Sequence, residues 1–158
     1  MAIPREKFKI QCMQARHVSE VHKIEVDRFD RPWSQKSFEE QIETENSFFS
    51  VCTTEGDGIE KVVGYIGLIM LAGEAHITNV AVCKAYERKG IGFDLLNYGI
   101  EIAREKKAVY GVTLEVSRKN LAAIYLYEKA GFAAEGIRKN YYGDGDDGIV
   151  MWIRDIFL

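Results

Sequence analysis

Strand-like segments joined by tight turns at both ends of the chain, with a strand–helix–strand crossover between them, predict an α/β fold. The expected architecture is a mixed central sheet of about seven strands, antiparallel at both ends and parallel in the middle, with about four helices. Three observations carry this. Polar turns at 55–60 and 72–74 separate apolar segments at hairpin spacing. An amphipathic pattern over 92–107 lies between the strand-like segments 76–82 and 112–117, the layout of a parallel crossover. A glycine- and aspartate-rich loop at 143–148 lies between two further strand-like segments.

In order along the chain, 9–15 alternates as a short strand. Over 17–29, Val18, Val21, Ile24 and Val26 fall at helical spacing, and Phe29 closes the segment. Arg31-Pro32-Trp33-Ser34 breaks the pattern, and Ser34 caps a second helix to about residue 45. Residues 47–53, 61–71 and 76–82 are the next three strands. The helix over 92–107 carries Phe93, Leu95, Leu96, Ile100 and Ala103 as its inward stripe. Residues 112–117 form a strand, and Asn120 caps a helix that runs to Ala130 and stops at Gly131. Residues 132–142 and 149–153 close the chain as a hairpin.

The 158 residues suffice for one domain, 1–158, with a substantial core. Apolar residues at 47% and charged residues at 28% are the balance of an ordinary globular protein. A net charge of −3 argues against direct nucleic-acid binding. Cys12, Cys52 and Cys83 are odd in number and widely spaced, which fits a reducing compartment. His17, His22 and His76 are scattered, so no metal is expected. The N-terminus lacks an apolar leader, and the longest apolar run, 62–73, is interrupted by Gly64, Gly67 and Gly73 and is too short to cross a bilayer. A cytoplasmic protein without membrane contact is expected.

The sharpest chemical signal is Asn-Val-Ala-Val-Cys-Lys-Ala-Tyr-Glu-Arg-Lys-Gly-Ile-Gly-Phe, residues 79–93. An apolar strand ends, a basic turn follows, and two glycines open a helix. Glycine lets backbone approach phosphate oxygens, and the first N–H groups of the helix point at them unpaired. Arg88 and Lys89 add positive charge. The crossover places this turn at the carboxyl end of the strands, where α/β sheets bind ligands. The stretch also reads as an ordinary strand–turn–helix corner. A P-loop would need Gly-x-x-x-x-Gly-Lys-[Ser/Thr], and a dinucleotide fingerprint would need a third glycine where Leu95 stands, on the first strand rather than the fourth.

Tyr-Glu-Arg-Lys-Gly-Ile-Gly-Phe-Asp-Leu-Leu, from Tyr86, resembles the acetyl-CoA motif of the GCN5-related N-acetyltransferases, the GNAT superfamily, written [Gln/Arg]-x-x-Gly-x-[Gly/Ala]. Leu-Glu-Val-Ser-Arg-Lys-Asn, Ala-Ile-Tyr-Leu-Tyr-Glu-Lys-Ala-Gly-Phe and Gly-Ile-Arg-Lys-Asn-Tyr-Tyr extend the match, as does Arg-Phe-Asp-Arg-Pro-Trp-Ser-Gln-Lys-Ser-Phe over 28–38. Together, over about 9–153, these are similar to the ribosomal-protein-alanine N-acetyltransferase branch. Glu87 departs from the motif, standing where Gln or Arg is usual. A carboxylate beside a pyrophosphate is unhelpful, by less than roughly 1 kcal/mol if exposed.

The resemblance implies acetyl-CoA as co-substrate and a protein N-terminus as acceptor, with an N-terminal Ala of a ribosomal protein as the specific target. Glu115 interrupts the apolar strand Val-Thr-Leu-Glu-Val, a setting that favours proton pickup; it also reads as an edge-exposed or ion-paired Glu. By resemblance it is the general base. Tyr127 lies seven residues beyond Asn120, on the same helix face, and by resemblance is the general acid; Tyr125 points elsewhere. Asn120 caps its helix and, by resemblance, contacts the pantetheine arm. The resemblance also assigns the backbone of Val80, Ala81 and Val82, on a strand splayed from its neighbour, to the pantetheine and the developing oxyanion. Arg88, Lys89, Gly90, Ile91, Gly92 and Phe93 then hold the pyrophosphate. Pro32, Trp33, Tyr141 and Tyr142 form the acceptor side or pack as core and hairpin residues. Cys83 has no His beside it in sequence and reads as a packed thiol rather than a nucleophile. Asp144, Asp146 and Asp147 read as a solvated turn or as an attraction for a basic ribosomal-protein tail. Two other readings compete: the same fold acetylating a polyamine or amino-sugar, and an acyl-CoA-binding module without turnover, for which Glu87 is the only sequence support.

Overall fold

The structure, a computed structural model, describes residues 6–157. The first five residues, read above as lacking an apolar leader, lie outside it. β1 (Phe8–Cys12), β2 (Ser47–Gly56), β3 (Ile59–Leu71) and β4 (Glu74–Val82) form an antiparallel run joined by tight turns at the second and third connections. Between β1 and β2 the chain forms α1 (Val18–Arg28) and α2 (Gln35–Gln41). After β4, α3 (Ile91–Glu105) crosses to β5 (Gly111–Ser117), which pairs parallel with β4. α4 (Leu121–Ala130) then crosses to β6 (Ala133–Arg138), and β7 (Gly148–Ile153) returns antiparallel to it.

The strand order is β1-β2-β3-β4-β5-β7-β6. The last hairpin is as expected, but its second strand takes the inner place beside β5. Hydrophobicity decides this. β6 is exposed along its whole length, whereas Met151 of β7 is fully buried.

Helices cover both faces of the sheet. α3 and α4 bury Leu95, Leu96, Ile100 and Tyr127 against β3 to β5, and α1 and α2 bury Val18, Val21, Ile24 and Phe38 against β2 and β3. Each such large apolar side chain contributes about 1.5–3 kcal/mol by leaving water. Two expected inward residues are displaced. Phe93 stands 200° around the helix from Ile91, so it leaves the buried stripe and lies half-buried beneath the Lys129 ammonium, 4.9 Å from the ring centre. On α1, Val26 is 51% exposed, and the inward position one turn beyond Val21 is taken by Glu25. α2 keeps its Ser34 cap, which accepts from Ser37 N–H at 3.1 Å, but ends four residues earlier than expected. The Thr44 hydroxyl donates to the Glu40 carbonyl at 2.7 Å, and Asn46 turns the chain with φ 65°.

One irregularity opens the sheet. β4 and β5 pair only through Glu74–Gly111, Ala75–Val112 and His76–Thr113. Beyond His76 they diverge, so residues 77–82 of β4 have no strand partner on that side. On the other side a register shift at Gly67/Leu68 accommodates Thr78. Gly67 is required there, because a Cβ would collide with the Phe49 ring and lie 2.8 Å from Thr78 Oγ1. Among the described residues no helix is long and apolar enough to cross a membrane.

Candidate active site

The splay of β4 from β5 opens a cleft of about 880 Å³. At the carboxyl end of β4 the chain makes the glycine turn. Gly90 is the N-cap of α3 with φ 83°, a left-handed conformation that costs a side chain strain. No side chain caps this helix end, and its first backbone bond within the turn runs from Asp94 N–H to the Gly90 carbonyl. The N–H groups of Ile91, Gly92 and Phe93 therefore point out of the helix. Arg88, also left-handed at φ 62°, and Lys89 are exposed beside them. Gly92 packs close, with a Cβ there lying 3.1 Å from Leu126 of α4. This end fits an anion such as a pyrophosphate. Glu87 is held by Arg28 of α1 at 2.6 Å, which offsets the charge that departs from the motif.

Glu115, from the middle of β5, lines the cleft. It is not enclosed by apolar neighbours: its side chain is 26% exposed and accepts from Arg138 Nη1 of β6 at 3.2 Å. The ion-paired reading of the sequence is thus the one its surroundings match, and the pair leaves the other carboxylate oxygen to the cleft. Tyr127 lines the same cleft from α4, its ring edge-on to Phe132 at 6.1 Å. Burial pushes its phenol up to about 12, so it keeps its proton across the neutral range. Tyr125, two residues away, is 72% exposed. Burial likewise pushes the Tyr142 phenol above its ordinary value, with Tyr141, Glu115 and Tyr127 near enough to add to the effect.

Aromatic side chains also line the cleft. Trp33 stacks at tilted angles on Phe38 and Phe49, at 5.4 and 5.8 Å between ring centres, and lines the cleft. Tyr141 and Tyr142 meet edge-to-face at 4.9 Å, with the Arg138 guanidinium 4.8 Å from the Tyr141 ring. Pro32 is exposed in the loop beside Trp33. Trp33 and the tyrosines therefore serve in packing and line the cleft together.

Glu115, Tyr127, Val80, Trp33, Tyr141 and Tyr142 converge on one cleft. Arg88 to Phe93, Ala81 and Val82 lie outside its lining, at the carboxyl end of β4 and the start of α3. Asn120 is exposed at the start of α4, where its side chain accepts from Ala123 N–H at 3.1 Å. Cys83, half-buried after β4, packs against the α1-side core. Arg138 and Glu25 are among the cleft residues that had no sequence assignment. A glutamate among inward α1 positions, four residues beyond Val21, was the available signal for the second.

The acetyltransferase (GNAT) family model matches residues 18–132. This chain belongs to the GNAT family of acetyltransferases. A Bacillus subtilis (strain 168) protein with the provisional name of a ribosomal protein bS18-alanine N-acetyltransferase is 34% identical over 150 residues, covering 94% of this chain and 97% of that one. An N-alpha-acetyltransferase of Sulfurisphaera tokodaii is 28% identical over 158 residues, covering 92% of both. The crystal structure of the ribosomal-protein-S18-alanine N-acetyltransferase from Escherichia coli superposes with a TM-score of 0.80 at 28% identity, covering 94% of both chains. The GNAT fold is thus that of an acyltransferase, and the likeness to N-alpha-acetyltransferases runs the length of the sheet.

Proposed function

We propose that this GNAT enzyme moves acetyl from acetyl-CoA directly to the N-terminal α-amine of a protein, with an N-terminal Ala of a ribosomal protein as its target. The observation that carries the reading is the shared cleft: Glu115 and Tyr127 face it from β5 and α4, and the Trp33 and Tyr141–Tyr142 walls flank it. Its open, aromatic-sided form suits an extended chain end better than a compact amine. The names of the relatives supply the ribosomal target.

Acetyl-CoA supplies the activated thioester. Arg88, Lys89 and the free N–H groups of Ile91, Gly92 and Phe93 hold its pyrophosphate. The unpaired edge of β4, at Val80 and Val82 on either side of Ala81, would take the pantetheine arm and donate to the oxygen that gains charge. Asn120 keeps its capping bond and lies beside the arm. Glu115, held in place by Arg138, accepts the proton of the incoming amine, directly or through water. An α-amine has a pKa near ~8, so the base has little work to do. Tyr127 donates toward the departing thiolate. Its phenol, raised to about 12, lies well above a thiol near ~8.5, so it acts chiefly as a hydrogen-bond donor to that sulfur.

The test is CoA release with acetyl-CoA and three acceptors: a peptide beginning with Ala followed by a basic tail, spermidine, and glucosamine. Preference for the peptide is expected. Turnover with either small amine and none with the peptide would reject the reading.

A further inference from the structure

The cleft holds a second carboxylate, and its surroundings set it apart. Glu25 is 2% exposed. Its Oε2 accepts from the Trp33 backbone N–H at 2.9 Å; its Oε1 accepts from the Tyr65 hydroxyl at 2.6 Å and from Asn79 Nδ2 at 3.2 Å. All three donors are neutral. Tyr65 stays a donor, since burial first and the charge of Glu25 second push its phenol far above the ordinary value. Among the described residues, Glu25 has no ion-pair partner within 4.0 Å.

Two nearby cations are held by other carboxylates. Arg28, three residues on along α1, holds Glu87 at 2.6 Å, and Arg138 holds Glu115 at 3.2 Å. Arg31, also on the cleft, is exposed at its rim. A buried carboxylate without a cationic partner is costly. Such a group on a substrate cleft has a reason to be kept if the cation arrives with the substrate. At pH 7 an α-amine of pKa ~8 arrives as ammonium in about nine molecules of ten.

We propose that Glu25 is the counter-charge that receives the acceptor's α-ammonium, a binding group separate from the base Glu115. This rests on the α-amine reading above. The same carboxylate holds Trp33, so the aromatic wall and the ammonium site share one anchor.

The test uses the enzyme loaded with CoA, which cannot turn over. Calorimetry compares the Ala-peptide with its desamino analogue, in which propionyl replaces Ala. A charge-assisted hydrogen bond predicts roughly ten- to hundredfold tighter binding of the amine form. Glu25→Gln preserves an acceptor for Trp33 N–H and removes the charge; it is expected to collapse that ratio toward one, with CoA affinity unchanged. Tyr65→Phe, which keeps the charge, is expected to keep the ratio. A ratio near one in the unaltered enzyme overturns the proposal whatever the variants do. So does an undiminished ratio in Glu25→Gln. CoA release from the Ala-peptide alongside either result leaves the α-amine reading standing and removes only the role of Glu25; no release with any peptide removes the reading beneath it.

Discussion

Tyr125 and Tyr127 sit two residues apart on α4 with opposite surroundings, one exposed and one buried against Phe132 on the cleft. That contrast makes them a matched pair. Tyr127→Phe is expected to lower kcat about 10²-fold, the usual cost of one donor to a developing charge, and Tyr125→Phe to leave it unchanged. Steady-state CoA release reads both. Glu115→Gln is expected to lower kcat/KM by about 10²-fold, the low end for a general base, because the amine is only weakly basic. Its loss should shrink as pH rises above ~8, where the free amine predominates. A pH-independent loss would assign Glu115 to binding. The residue scale was also where sequence reasoning was least complete. Glu115 and Tyr127 were legible as positions in motifs, but the Arg138–Glu115 pair joins residues 23 apart and Glu25–Asn79 joins residues 54 apart. No local pattern encodes such contacts.

At the scale of elements, the glycine turn and α3 were readable because their signals are local: a strand end, two glycines and a 3.6-residue period. The inner place of β7 was not, since hairpin spacing fixes that β6 and β7 pair and leaves open which one meets β5. The early end of α2 depended on the Thr44 hydroxyl competing for a helix carbonyl. The turn itself yields two expectations. Gly90→Ala must place a Cβ at φ 83°, and should weaken acetyl-CoA binding and cost about 1–2 kcal/mol of stability, read by calorimetry and thermal melts. Glu87→Gln removes a negative charge beside the anion site and frees Arg28. It should tighten acetyl-CoA binding, more at low salt than at high, and change stability by less than about 1 kcal/mol, because both partners of the ion pair are more than a third exposed.

Over the whole molecule, a polar cluster that does not line the cleft ties β1 and the turn before α1 to β3. His17 is buried; its Nδ1 accepts from Gln14 N–H at 2.9 Å, so Nε2 donates to Glu60 Oε1 at 2.8 Å. The Arg16 hydrogen bond first, and that of His17 second, hold the Glu60 carboxyl down at about 2, against an ordinary 4.5. A carboxylate whose pKa is lower in the folded chain stabilises the fold fully above the unfolded value, and that contribution is lost as pH falls from about 4.5 toward 2. Glu60→Gln should therefore melt below the parent at pH 7, with the gap closing as pH approaches 2. The mixed sheet itself was legible from hairpin spacing and the crossover. The splay beyond His76 was legible only by resemblance, since nothing in residues 77–82 marks their strand edge as unpaired. That splay makes the cleft. The central claim is tested most directly by CoA release from acetyl-CoA with two peptides, one beginning with a free Ala and the other identical but blocked at its α-amine, both carrying internal lysines. Turnover with the free terminus alone is predicted. Equal turnover with the blocked peptide would contradict the account and assign the cleft to side-chain amines.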